Sequence, residues 1–274
     1  MDYYRWYFPP ARMTEEQKLK LPLQIVLRTP VALTRLIETI SKGSLKNIIE
    51  YEELPQNKQS IHFANQLGDL FDKYGTDKSK HNFHHIYGYI FNILPPNPRI
   101  LEIGLGSNDP SVYCNLGTNY SPGASLKAFT DFSPESIIDG ADIDKNISVD
   151  GHRIFYVDQT KPETFSNIVN NGELEYDLII DDGMHAPDSQ LYTLEFALKH
   201  ISNNGYILIE DIHEQHLVIW NTVRYLLSES KYYCNLIKTF PESMKGRPAY
   251  IFICTSNENG KQLFQNSDLI DFSS

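Results

Sequence analysis

Cysteine is scarce in this chain: three in 274 residues, Cys114, Cys234 and Cys254. They lie far apart and never form a CxxC. That excludes a zinc knuckle and a disulfide-stapled scaffold, and reduced thiols in a cytoplasmic compartment are expected. No run reaches the roughly 18 apolar residues that a spanning helix needs, so no membrane partner is expected. The opening residues, MDYYRWYFPPARMTEEQ, lack the basic stretch and apolar core of a secretory leader. Basic residues are few as well: 24 Lys and Arg face 35 Asp and Glu, a formal charge of −11. Such a surface repels polyphosphate and excludes nucleic acid as a partner held by charge alone. Neutral or cationic small molecules and metal ions remain.

What is present divides near residue 95. Before it the pattern is helical and shows no strand-like run. Thr14-Glu15-Glu16-Gln17 fits a capping box. Thr29-Pro30 opens VALTRLIETISK, which Gly43 closes. Ile61–Tyr74 reads as a helix stopped by Gly75, and His84–Leu94 as another stopped by Pro95-Pro96. After Pro96, short apolar runs recur at Arg99–Ile103, Ile137–Ile143, Ile154–Val157, Tyr176–Ile180 and Tyr206–Ile209. Helical patterns at Lys161–Val169, Ser189–His200 and Glu214–Ser228 separate the later ones. Strands alternating with helices imply a parallel sheet wound on both faces. Lys231–Phe240 and Ala249–Thr255 have only the polar turn Pro241–Pro248 between them and must pair antiparallel. The expectation is an α/β fold, a doubly wound and mostly parallel sheet ending in an antiparallel hairpin over residues 81–274. Residues 1–80 form an N-terminal helical appendage in this reading.

Arg99-Ile-Leu-Glu-Ile-Gly-Leu-Gly106 is a strand running into a glycine turn, where Gly104 and Gly106 let backbone pass close to a ligand. The third glycine of a dinucleotide fingerprint is missing; Asp109 stands there. Glu102 sits inside the strand, and an anion there suits a cationic ligand better than a pyrophosphate. The next strand ends Gly140-Ala141-Asp142-Ile143-Asp144. Asp142 and Asp144 point to the same face of an extended segment. Asp142, at the strand end, is the better acceptor for ribose hydroxyls, unless both are merely loop acids. Asp158 and Gln159 end the third strand. They either read the polar edge of an adenine or cap the helix that starts near Pro162.

ILEIGLG, GADID, VDQT, YDLIIDDG and GYILIEDI together resemble the class I S-adenosylmethionine-dependent methyltransferases, over roughly residues 70–255. The resemblance implies a Rossmann-like, seven-stranded sheet. It also implies that Glu102, Gly104 and Gly106 follow the methionine part of the cofactor, that Asp142 takes its ribose, and that Asp158 and Gln159 take its adenine. Asp181 is counted with these cofactor-binding residues. The sulfonium is cationic, in keeping with an acid where a pyrophosphate turn would have glycine.

A second acidic group follows. Asp181-Asp182-Gly183-Met184-His185 ends the fourth strand, and Glu210-Asp211-Ile212-His213 ends the fifth. Neighbouring strands lie about 4.8 Å apart, so their carboxyl ends meet where open α/β sheets bind ligands. Asp182, Glu210 and Asp211 then crowd three negative charges together, which must shift protonation or hold a cation. Oxygen donors with no cysteine nearby favour a hard ion, Mg²⁺ first. His185 is a natural general base, or else a loop histidine that orients backbone.

The pairing is similar to that of metal-dependent O-methyltransferases acting on the deoxysugars of macrolide and aminocoumarin antibiotics. The resemblance makes Asp182, Glu210 and Asp211 the metal ligands and His185 the base. It makes the acceptor a sugar or a glycosylated small molecule. The segment Lys73–Lys78, followed by His85 and Tyr87, is similar to a stretch that precedes the cofactor domain in sugar-directed relatives. Three other readings stand beside this one: a nitrogen or phosphoramidate-type acceptor, an NAD-dependent oxidoreductase, and a binding protein without catalysis. The aromatic cluster Tyr3, Tyr4, Trp6, Tyr7 and Phe8 is expected to pack on the domain or on a partner subunit, and the N-terminal helices are candidates for a homo-oligomer interface. His81, His84 and His85 read as solvated helix residues or as one wall of the active site.

Overall fold

The computed structural model describes residues 48–112, 115–169, 175–228, 230–240 and 248–258, with isolated positions between 14 and 39. Most of the capping box at 14–17, the aromatic cluster and most of the turn after Phe240 fall outside those residues; the helix expected after Thr29 is described only at positions 31–33, 35, 36 and 39, all helical. Of the N-terminal helices proposed as an interface, only the one ending at Tyr74 is described in full.

Among the described residues the strands are β1 (Ile49–Glu50), β2 (Arg99–Ile103), β3 (Ile137–Asp142), β4 (Arg153–Tyr156), β5 (Tyr176–Asp181), β6 (Ile201–Ile212), β7 (Tyr233–Thr239) and β8 (Ala249–Thr255). They form one eight-stranded sheet in the order β1-β7-β8-β6-β5-β2-β3-β4. Every pairing is parallel except those of β8, which runs antiparallel to both β6 and β7. This is the mostly parallel sheet with a closing antiparallel hairpin that the strand pattern predicts, with one strand more than the seven that the resemblance implies. The chain before residue 95 does contain a strand, contrary to the sequence reading: β1, two residues long, pairs with β7. So short a strand has no periodicity to betray it.

The helices are α1 (Lys58–Tyr74), α2 (Phe83–Phe91), α3 (Ala124–Phe132), α4 (Ser166–Val169), α5 (Pro187–His200) and α6 (Leu217–Ser228). Side chains alternate along a strand, so the longer strands feed two cores. Ile100, Leu178, Ile180 and Leu208 face α1, α2 and α3, meeting Leu67, Phe71, Ile86 and Phe129. Leu101, Ile179, Ile207 and Phe252 face the other way, onto Phe165, Leu194, Ala197 and Trp220.

Capping chemistry sets the helix ends that matter for the site. The Asn57 side chain accepts from the Ser60 amide at 2.8 Å, and the Ser60 hydroxyl accepts from the Asn57 amide at 2.9 Å. Gly75 closes α1 in the left-handed conformation, φ +79°. The chain can therefore turn sharply after Tyr74 and carry residues 76–82 across the carboxyl edge of the sheet.

Candidate active site

A cavity of about 730 Å³ opens at that edge. Gly104, Gly106, Asp142, Asp158, Gln159, Asp182, His185 and Asp211 all line it. The register explains the convergence. Ile103 pairs with Asp181 and Asp181 with Ile209, which leaves Asp182 and Glu210 side by side one residue further on.

On the β2 side, Gly104 and Gly106 both take positive φ, +95° and +71°. A β-carbon on Gly104 would run into the Asp182 carbonyl, and one on Gly106 into the Tyr120 ring. The glycines thus give clearance chiefly to the protein's own chain, while still forming cavity wall. Asp142 is buried and accepts from the Leu105 and Asp144 amides, each at 2.8 Å. Burial raises its carboxyl, with those amides opposing. Asp144 does not share the face of Asp142. It takes the Ser107 hydroxyl at 2.5 Å and lines a smaller neighbouring depression, because the strand ends at Asp142 and the chain turns there.

Asp158 folds back on its own turn, accepting from the Thr160 hydroxyl at 2.7 Å and Lys161 Nζ at 2.6 Å. The Gln159 amide is used on both sides. Its nitrogen donates to Asp181 and to Thr193 at 2.9 Å each, and its oxygen accepts from the Met184 amide at 2.8 Å. Asp181 is fully buried and lies behind the cavity wall, because alternation along β5 turns it away from Asp182. It also accepts from the Gly183 amide at 3.1 Å. Gln159 and Asp181 therefore act as a clip between two strand-end loops, and of the two only Gln159 reaches the cavity wall.

The acids on the other side divide. Atoms of Asp182, His185 and Asp211 capable of binding a metal lie within 4.8 Å of one another. His185 Nε2 is 3.8 Å from Asp211 Oδ2. Both residues have left-handed backbone, φ +54° and +51°. A non-glycine residue there is strained by about 1–3 kcal/mol and persists where the surroundings enforce it, often at functional sites. At Asp211 the enforcing feature is the irregular register between β6 and β8, between Ile209 and Ile212.

Glu210 looks inward instead. Lys78 Nζ reaches it at 2.6 Å, and the Tyr87 hydroxyl donates to its other oxygen. The same Nζ lies 2.6 Å from Asp182 Oδ2 and 3.2 Å from Glu102 Oε1. Lys78 is only 1% exposed and Glu102 is fully buried. Glu102 lies beneath the cavity floor and also accepts from the Ser125 hydroxyl at 2.5 Å. Burial opposes the charge on Lys78, but Asp182 and Glu210 outweigh it and hold its ammonium well above the ordinary lysine range. Burial lifts the Asp182 and Glu210 carboxyls, Lys78 opposing in both.

His81 also enters the site, with Nδ1 3.3 Å from Asp211 Oδ1. Burial would raise the Asp211 carboxyl, but His81 and His185 outweigh it and hold it below the usual range. Of the three clustered histidines, His81 has the carboxylate partner that the sequence did not reveal. His84 and His85 do not line the cavity. The sequence marks His81 only as one of three solvated or wall histidines, while Lys78 and Tyr87 were missed as site residues because nothing in their spacing marks them. Similarity of the Lys73–Tyr87 stretch to sugar-directed relatives is the one cue that covers them.

Comparison with known proteins sharpens the class. No family model matches the chain. It is 29% identical over 150 residues to an 8-demethyl-8-(2-methoxy-alpha-L-rhamnosyl)-tetracenomycin-C 3'-O-methyltransferase of Streptomyces olivaceus, a match covering 53% of this chain and 36% of that one. It is 31% identical over 115 residues to an L-olivosyl-oleandolide 3-O-methyltransferase of Streptomyces antibioticus, covering 41% of this chain and 28% of that one. The chain thus spans about a third of the length of these curated relatives. Among solved structures it is similar to the MycE methyltransferase of mycinamycin biosynthesis with Mg, SAH and mycinamycin VI. That match has 26% identity and a TM-score of 0.45, and covers 53% of this chain and 39% of that one. It is also similar to an O-methyltransferase of Bacillus cereus with SAH, at 12% identity and a TM-score of 0.42, covering 83% of this chain and all of that one, 100%.

The sheet order and the site at its carboxyl edge define a Rossmann-like methyltransferase fold. Over part of its length the chain is distantly similar to sugar O-methyltransferases.

Proposed function

We propose that the protein is an S-adenosylmethionine-dependent O-methyltransferase that uses a hard divalent cation, Mg²⁺ first, and methylates a hydroxyl of a sugar or glycosylated small molecule. The observation that carries this reading is the convergence of Asp182, His185 and Asp211, from two adjacent strand ends, on the wall of one cavity. The carboxylate oxygens of Asp182 and Asp211, with no thiolate nearby, fit a hard ion. The cavity and the buried anion beneath it fit a cationic nucleoside. Gly104, Gly106, Asp142, Asp158 and Gln159 would hold S-adenosylmethionine, with Glu102 and Asp181 supporting the floor from below. Asp182 and Asp211 would hold the cation, and Glu210 completes the acidic set from beneath. When bound, the cation lowers the pKa of a coordinated hydroxyl, and the sulfonium presents an activated methyl group.

The chain's own part is to bind, orient and move a proton. Asp182 and Asp211 fix the acceptor end of the cleft. His185 accepts the hydroxyl proton at Nε2, which lies 3.8 Å from Asp211 Oδ2. The curated relatives are described by the sugar hydroxyls they methylate, which supports a sugar or glycoside as acceptor here. The test is transfer of labelled methyl from S-adenosylmethionine to a panel of free sugars, nucleotide-linked sugars and glycosides, with Mg²⁺ and with EDTA. Transfer confined to hydroxyls and lost in EDTA is expected. Full activity in EDTA sinks the metal part, and label on nitrogen sinks the acceptor part.

A further inference from the structure

We propose that Lys78 is the fixed counter-cation of the cleft, a positioning residue that engages Glu210 and one oxygen of Asp182 and so sets how tightly the other acidic oxygens hold a divalent ion. This rests on the metal-assisted reading above. An ammonium has three N–H donors, and three carboxylates surround this one: Asp182 and Glu210 at 2.6 Å and Glu102 at 3.2 Å. Tyr87 takes the remaining oxygen of Glu210. Both oxygens of Glu210 are therefore occupied by donors from the same chain, while Asp182 keeps Oδ1 clear of Lys78.

The three carboxylates come from β2, the end of β5 and β6, and Lys78 comes from the turn between α1 and α2. One buried charge thus joins the floor of the proposed methionine pocket to the acids at the acceptor end. Charges this deep interact through a low effective dielectric, so each one alters what its neighbours can bind. Removing the Glu210 charge alone leaves Lys78 poorly balanced and adds its repulsion to any cation on Asp182 and Asp211. Removing Lys78 and the Glu210 charge together returns the field there close to its starting value.

The experiment is a double-mutant cycle on the full chain, with Mn²⁺ as probe. Free Mn²⁺ is followed by electron paramagnetic resonance in the presence of S-adenosylhomocysteine, and thermal melts report folding. Glu210→Gln is expected to weaken Mn²⁺ binding about tenfold or more, and Lys78→Met combined with Glu210→Gln to return it to within about threefold of wild type. If Glu210 binds the ion directly, the double variant stays as weak as Glu210→Gln, and the proposal is overturned. A second measurement needs no variant. In wild-type protein labelled with ¹⁵N-lysine, the buried Lys78 ammonium resonance is expected to persist at saturating Mg²⁺, and its loss on adding Mg²⁺ overturns the proposal whether or not the double variant folds. A wild type that binds no Mn²⁺ overturns the metal-assisted reading and this proposal together. Binding without rescue overturns this proposal alone.

Discussion

His185 and Asp211 carry the sharpest expectations at the scale of single residues. His185→Ala should lower kcat by about 10²–10⁴, the usual contribution of a general base, with S-adenosylhomocysteine affinity unchanged by calorimetry. Mn²⁺ affinity separates the two chemical uses of that imidazole. A base leaves it within about threefold of wild type, whereas loss of the ion would make His185 a ligand. A different histidine contributes to acid stability. Burial, with His85 beside it, pushes the His84 imidazole down from 6.5 to about 4. The unfolded chain takes up this proton near pH 6.5 and the folded chain only near 4. Unfolding therefore binds a proton between those values, and stability falls as pH drops through that window. Because the ring is partly exposed, the loss is about 1–2 kcal/mol rather than the full equivalent of the shift. Thermal melts at pH 7.5 and 4.5 should show a larger drop for wild type than for His84→Gln. At this scale the sequence revealed the acids and concealed their partners. Asp182, Glu210 and Asp211 stand out as doublets at strand ends, but a lone lysine 104 residues before Asp182 has no pattern to announce it.

At the scale of elements, the pair α1 and α2 is what delivers Lys78 and His81 to the sheet. Gly88 makes the close approach possible. A β-carbon there would sit 2.6 Å from the Ser60 carbonyl oxygen and 2.7 Å from Ala64 Cα, both backbone atoms of α1. Gly88→Ala should cost about 1–3 kcal/mol by chemical denaturation, because helix backbone cannot give way as a flexible side chain does. It should also weaken S-adenosylhomocysteine binding through the displaced turn at 76–82. The strands were readable because most of them are apolar on both faces and bounded by turn residues: β2 and β8 fall where the sequence put them, Arg99–Ile103 and Ala249–Thr255. Other ends moved. β6 starts at Ile201, earlier than its apolar run, since Ser202, Asn203 and Asn204 extend it with polar side chains. The pattern at Lys161–Val169 splits into a 3₁₀ turn at Pro162–Phe165 and the single helical turn of α4. The helix α3 was not foreseen. It begins at Ala124 after Gly123, whose φ is +71°, with no capping side chain to signal it.

For the whole molecule, the formal charge of −11 is unevenly placed. Glu102, Asp182 and Glu210 are gathered around one ammonium, so part of the acidic surplus sits inside the fold rather than on its surface. A ligand that binds only the folded state stabilises it by about 2.7 kcal/mol at a hundred times its Kd. For a chain of this size that corresponds to a rise in Tm of about 5–10 °C. S-adenosylhomocysteine should produce that shift and NAD should produce none; the reverse order would return the oxidoreductase reading.

The two outermost strands of the sheet carry a consequence of their own. Among the described residues, β1 has two residues and β4 has four, and they are the shortest strands present. Unpaired ladder groups at a sheet margin are where foreign strands add on and where aggregation begins. The long strands β6 and β8 are paired on both sides, while β1 covers β7 only opposite Ile237 and Lys238. Among the described residues, the outer edge of β7 before Ile237 is therefore a stretch of ladder open to a foreign strand.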